Sequence, residues 1–177
     1  MSEKDFTEFS RMIELPLAVG AETGATIAAE PAEREALARR FSLLALDRLE
    51  AEVRLARLEG GLVRLEATLE ADLVQECVVT LEPVPTHLAE RFSLLYGAVA
   101  DAREILLEGE AETVEPLAGP RLDIGEAVAQ QMSLALDPFP RAPGADDALA
   151  TPPESNAPRE SPFAALKHWP GPAKPRS

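Results

Sequence analysis

The stretch "LEAEVRLARLEGGLVRLEATLEADL", Leu49 to Leu73, decides the fold. On its first arm Leu49, Ala51, Val53 and Leu55 alternate with Glu50, Glu52 and Arg54. On its second arm Val63, Leu65, Ala67, Leu69, Ala71 and Leu73 alternate with Arg64, Glu66, Thr68, Glu70 and Asp72. A period of two puts every apolar side chain on one face, so each arm predicts a strand with one face buried. Gly60 and Gly61, between the arms, supply the backbone freedom of a tight reversal and make the pair a hairpin. Both arms are long for strands, which predicts strong twist or a bulge.

Downstream, "EPVP" (Glu82 to Pro85) reads as a turn, with Pro83 and Pro85 shaping it. "HLAERFSLLY" then puts Leu88, Phe92, Leu94 and Tyr96 on one parity, a third antiparallel strand that makes the hairpin a meander. From Asp101 to Glu115 carboxylates dominate, among them Glu104, Glu108, Glu110, Glu112 and Glu115. Their spacing lacks the regularity of a calcium loop, and a loop or weak edge strand is the expectation. "LDIGEAVAQQMSLALDPFP" predicts a helix: Asp123 can cap its first amides, Glu126 can reach back in a capping box, and Ile124, Val128 and Met132 share a face. Asp137, Pro138 and Pro140 end it.

Upstream, Pro31 opens a short helix over Glu30–Arg40. Two strand-like segments, "SRMIELPLA" and "GATIAAE", precede it, the first interrupted by Pro16 and so placed near an edge. The resulting fold class is α+β, an antiparallel β-meander packed by one or two helices.

At 177 residues the chain suits one domain with a core, plus a tail. Eight of the 16 prolines stand at or after Pro143, which predicts a Pro-rich, largely disordered C-terminal tail. The expected division is an acidic domain over 1–140 and a tail over 141–177. One apolar island, "SPFAALKHW", interrupts the tail. There Phe163, Leu166 and Trp169 recur at helical spacing, so 161–169 reads as a short docking segment for the domain or a partner.

The formal net charge is −14, and from Arg141 on five basic residues face four acidic ones, leaving −15 on residues 1–140. Affinity for nucleic acid rests largely on Lys and Arg neutralising phosphates, so a domain this acidic is a poor generic RNA binder. Arg34, Arg39 and Arg40, and Arg54, Arg57 and Arg64, form local basic groups that read as solvated surface. One cysteine excludes an intramolecular disulfide and fits a reducing compartment. The opening "MSEKDFTEFSR" does not have the pattern of a signal peptide, and the longest uncharged run, "AVAQQMSLAL", is far below a membrane span. A soluble, cytoplasmic protein with no membrane contact is expected.

Little in the chain suggests chemistry. Cys77 would need a base to become a nucleophile, and the two histidines are His87, on the solvent parity of its strand, and His168, in the tail. A small buried apolar role for Cys77 is the favoured reading. A zinc site needs about four ligands, and the residue three beyond Cys77 is Thr80, so no metal and no cofactor is expected. No HExxH, GxGxxG, GxxxxGK[ST] or GxSxG pattern occurs. The strands also lack the paired aromatics of an RNA-stacking sheet.

Three stretches in order resemble the YceD family, the large ribosomal RNA subunit accumulation proteins, over most of residues 6–167. "ECVVTLEPV" resembles the family's E-C-x-R-C-x-x-P segment. "LDIGEAVAQQMSLALDPFP" resembles its I-D-L…E…L-x-L-P-x-x-P helix, with Asp123, Leu134, Leu136 and Pro140 at matching places. "SPFAALK" resembles its N-P-F-A-x-L…L-K ending. The resemblance puts Cys77 on the first cysteine of a pair whose second is replaced by Thr80. If relatives with complete pairs bind metal, this chain has dispensed with it.

The resemblance implies a non-enzymatic ribosome biogenesis factor supporting accumulation of large-subunit (23S) rRNA. With the acidic charge, it points to a basic ribosomal protein or a large-subunit precursor as partner, direct rRNA contact being open. Candidate partner contacts are Glu108, Glu110, Glu112, Phe163, Leu166 and Lys167. Cys77, Pro83, Asp123, Glu126 and Pro140 are candidate structural positions. The alternative is a small-molecule-binding domain using the concave face of the sheet.

Overall fold

The computed structural model describes residues 8–97, 104–107, 110–117 and 119–146, with 104–107 and 110–112 placed as strand backbone. In chain order the elements are β1 (Met12–Glu14), β2 (Glu22–Ala28), α1 (Pro31–Arg40), β3 (Ala45–Arg57), β4 (Val63–Glu76), β5 (Pro83–Gly97), β6 (Glu104–Leu107), β7 (Glu110–Pro116), β8 (Arg121–Asp123) and α2 (Ile124–Ala135). β1 and β8 form a two-stranded ribbon, and the other six strands form one sheet in the order β2-β3-β4-β5-β7-β6. The fold is α+β and mainly antiparallel, as the sequence predicts; β5 and β7 alone in the sheet pair in parallel, from Leu95↔Val114 to Gly97↔Pro116.

The hairpin stands as read. β3 and β4 pair from Arg57↔Val63 to Ala45↔Val74, and the register shifts between Leu46 and Arg48. That bulge lets Leu46 and Leu49, three residues apart, both lie on the buried face. Gly60 and Gly61 hold the reversal with φ of +71° and +80°, the left-handed region that side chains disfavour.

The turn after β4 differs from expectation. Pro83 and Pro85 do not shape a turn; they pair with Glu76 and Val74 inside the first residues of β5. The reversal is made one step earlier, where the Cys77 amide donates to the Glu82 carbonyl over 2.9 Å and Leu81 adopts a φ of +61°. Proline is tolerated here because β5 has no strand beside its outer edge at this end among the described residues. The acidic stretch over 101–115, expected as a loop or weak edge strand, contains the edge strand β6 and its neighbour β7, paired Glu104↔Thr113 to Leu107↔Glu110.

One face of the sheet is covered and the other is bare. α1, α2 and the β1–β8 ribbon share one layer, because Leu37, Ile13, Leu122, Ile124, Val128 and Met132 belong to the same apolar core as Leu49, Val53, Leu65, Leu69 and Leu73. The opposite parity carries Arg48, Glu50, Glu52, Arg54, Glu66, Thr68, Arg91 and Ser93, with no helix over it among the described residues. The periodicity that builds each strand therefore also sorts core from charged surface.

Candidate functional site

Two junctions and one open surface hold the features on which a function can rest. The first junction is the start of α2. Asp123 Oδ1 accepts from the backbone amides of Gly125 at 3.1 Å and Glu126 at 3.2 Å, the N-cap geometry the sequence predicts. It also accepts from the Arg11 amide at 2.8 Å, while its Oδ2 takes the Ser10 hydroxyl at 2.6 Å. One carboxylate thus caps the helix and fixes the chain leading into β1.

Glu126 does not reach back to complete a capping box. It is held by Arg40 instead, with Nη1 at 2.9 Å and Nη2 at 2.7 Å from its two oxygens. The last turn of α1 supplies that guanidinium, and a bidentate, charge-assisted partner outcompetes a single amide. Arg11 forks onto Glu33 of α1 in the same way, at 2.7 Å to each oxygen. Both glutamates are held below the usual carboxylate range, in each case first by the hydrogen bond to the arginine. Arg11 and Glu33 do not stand out in the sequence, and Arg40 reads there only as part of a local basic group, because long-range ion pairs leave no periodic trace.

Asp123→Ala removes four accepted hydrogen bonds at once. It is expected to lower folding stability by about 2 kcal/mol in chemical denaturation, with Asp123→Asn, which keeps an acceptor oxygen, well below that. Equal losses in the two variants would refute the capping role.

The second junction is the Cys77 turn. Cys77 is fully buried with Ala142 and Ala145 in a small apolar cluster, flanked by Val79 and Val84. Its Sγ accepts three backbone amides, from Val79 at 3.4 Å, Thr80 at 3.3 Å and Ala142 at 3.2 Å. The Val78 amide donates to the carbonyl of buried Pro140 at 2.9 Å, and Gln75 Nε2 donates to the Asp137 carbonyl at 2.9 Å. The segment after α2 is therefore stitched to the β4–β5 turn through residues 137–145, beyond the point where composition places the tail. Gln75, Ala142 and Ala145 were not legible in the sequence: two alanines in a Pro-rich stretch carry no sign that they meet a cysteine 65 positions away.

Among the described residues no histidine lies beside Cys77. His87 pairs with Asp72, while the strand end next to Cys77 pairs Glu76 with Pro83. Four register steps along a strand separate the two, about 13 Å. His87 Nδ1 lies 2.7 Å from Asp72 Oδ1, on the bare face. A tetrahedral metal would find one thiolate here, since Thr80, Ala142 and Ala145 present no comparable ligand atom. Among the described residues no group of three or more His, Cys, Asp or Glu is placed to hold a metal ion.

Burial pushes the Cys77 thiol up, but the Ala142 amide, the Thr80 side chain and the Thr80 and Val79 amides pull it down to about 7, from an ordinary 9.0. A folded pKa below the unfolded one means that the folded chain favours the thiolate. Its stabilising contribution is complete above the unfolded pKa and is lost as pH falls through about 7. The urea midpoint is expected to rise between these two pH values, and Cys77→Ala to flatten that rise. Parallel pH profiles for the two proteins would show that the thiol does not titrate there.

The third feature is the bare face. Arg48 donates to Glu50 at 2.9 Å and Glu70 at 2.8 Å, so one arginine spans two strands. Next to it a shallow groove of about 440 Å³ is lined by Glu52, Arg54, Glu66, Thr68, Arg91 and Ser93. Charges of both signs alternate across it, which suits a polar contact surface better than a pocket for an apolar ligand.

Of the expected partner residues, Glu110 and Glu112 lie on β7, opposite Leu107 and Ile105 of β6. Glu108, Phe163, Leu166 and Lys167 lie outside the described residues. No described helix is long and apolar enough to cross a membrane.

Taken together, the described residues form a two-layer α+β protein with one charged sheet face that no described helix covers and a cysteine turn that serves as a structural joint. It belongs to the YceD family: the model described as "Large ribosomal RNA subunit accumulation protein YceD" matches residues 65–168, from β4 through α2 and on to His168. No curated protein and no solved structure gave a match.

Proposed function

We propose that this protein supports accumulation of large-subunit (23S) rRNA as a non-enzymatic assembly factor, by binding a basic ribosomal protein or a pre-ribosomal particle. The observation that carries this reading is the pairing of the family match with a charge of −15 on residues 1–140. A basic, phosphate-seeking domain would suit direct rRNA wrapping; an acidic one suits the basic proteins that accompany rRNA. The partner surface comprises the carboxylates Glu108, Glu110 and Glu112 together with the tail residues Phe163, Leu166 and Lys167. Such a role places the protein in the cytoplasm, where ribosomes assemble.

Affinity capture from lysate with the tagged full-length chain tests it. Large-subunit proteins are expected to be retained through a ribonuclease wash; recovery of nothing ribosomal would sink the reading. Deletion of residues 161–177 is expected to reduce mature large subunits, and wild-type levels would remove the tail from the partner surface. The second reading, a small-molecule-binding domain, has the polar groove around Arg54 and Arg91 in its favour. Native mass spectrometry showing a retained ligand would bring it forward.

A further inference from the structure

The helix-covered layer leaves one strip of the sheet open. Along the covered parity of β5, Leu88 is buried, but Phe92 and Leu94 are half-buried and Glu90 is exposed. α2 turns Val128 and Met132 fully into the core, and its next stripe, Gln131, Leu134 and Ala135, faces out beside β5. Between them runs a groove of about 250 Å³ lined by Glu90, Phe92, Gln131, Leu134 and Ala135. Leu134 is 76% exposed and stands beside half-buried Phe92 and Ala135, so the apolar side of the groove is continuous. From Pro83 to Leu94 the outer edge of β5 has no strand paired to it among the described residues.

We propose that residues 161–169 of this same chain seat in that groove, with Phe163, Leu166 and Trp169 turned toward Phe92, Leu134 and Ala135. Four observations select this occupant. The three apolar residues recur every third position, the spacing of one helical face. The family match treats the segment up to His168 as part of the same unit as β4, β5 and α2. Lys167 brings positive charge to a groove whose charged member is Glu90.

Reach is the fourth. Ala145 packs on Cys77 beside Val84, so the last described residues lie at the Cys77 end of β5. Six strand residues, about 20 Å, separate Val84 from Glu90. Residues 147–162 can extend to about 50 Å. A tether of this length gives a millimolar effective concentration, so the segment outcompetes a second copy at micromolar protein. The inference concerns the free protein, in which the segment stays seated until a partner takes up Phe163 and Leu166, and it stands whether or not that partner is ribosomal.

Trp169 is the sole tryptophan, so its fluorescence reports the segment directly. In the purified full-length chain its emission is expected to be blue-shifted, and less quenched by acrylamide, relative to a free peptide of residues 161–169. Leu134→Asp, a change at an exposed position, should shift the emission to that of the peptide while the far-ultraviolet circular dichroism stays unchanged. The double variant Phe163→Ser with Leu166→Ser should do the same from the other side. Peptide-like emission in the wild-type chain, or emission insensitive to both variants, overturns the proposal. A blue shift lost on dilution overturns it too, assigning the groove to the segment of a second copy.

Discussion

Gly125→Val is expected to lower folding stability by roughly 3–5 kcal/mol and to release the chain before β1 from the domain. A Cβ at position 125 would stand 2.5 Å from the Phe9 carbonyl oxygen and 2.9 Å from the Arg11 amide nitrogen. Both are backbone atoms, so no rotamer change relieves the clash. The segment that must retreat carries fully buried Phe9, the Arg11–Glu33 pair, and the Ile124 amide bond to the Arg11 carbonyl at 3.0 Å. Urea denaturation measures the loss, and amide exchange at residues 9–14 locates it. Stability within about 0.5 kcal/mol of wild type would mean the approach of the two backbones is not required.

Leu69→Ala should cost about 3 kcal/mol, within the 2–5 kcal/mol that buried leucine truncations span. Leu69 is fully buried near the middle of β4, paired with Ala51 on one side and Glu90 on the other. Neighbouring strands and the overlying helices limit collapse into the space left behind, so the cavity term adds to the transfer term. Leu17→Ala is the matched comparison, a leucine 94% exposed between β1 and β2. Its effect should stay within about 0.5 kcal/mol. Similar losses at the two positions would contradict the assignment of the covered face.

Local signals account for the parts that were legible. The alternation over Leu49–Leu73 gives the hairpin, its register and its buried face, because side chains on a strand alternate without exception unless a bulge intervenes. The α2 cap was readable from Asp123 and its position before an apolar helical stripe. Glu126 shows the limit of the same reasoning: its spacing fits a capping box, yet Arg40, 86 positions away, takes its carboxylate. Pro83 and Pro85 show it again, since proline marks a turn locally but is equally at home on an open strand edge.

For the candidate site, the sequence identified Cys77 as the residue to explain and family resemblance supplied its context. The tertiary structure decided what it does. Three amides converge on its sulfur, two from its own turn and one from Ala142, 65 positions away, while His87 lies beside Asp72.

By itself, the sequence determined the α+β class, the central hairpin, the capped helix and the acidic surface, all set by interactions within a few residues or by composition. Only the tertiary structure decided the parallel β5–β7 pairing, the joint at Cys77, the close backbone contact at Gly125 and the open groove beside α2. Each of these depends on groups far apart in the chain meeting in space, and the energy of such meetings lies in packing and hydrogen bonds that no local pattern encodes.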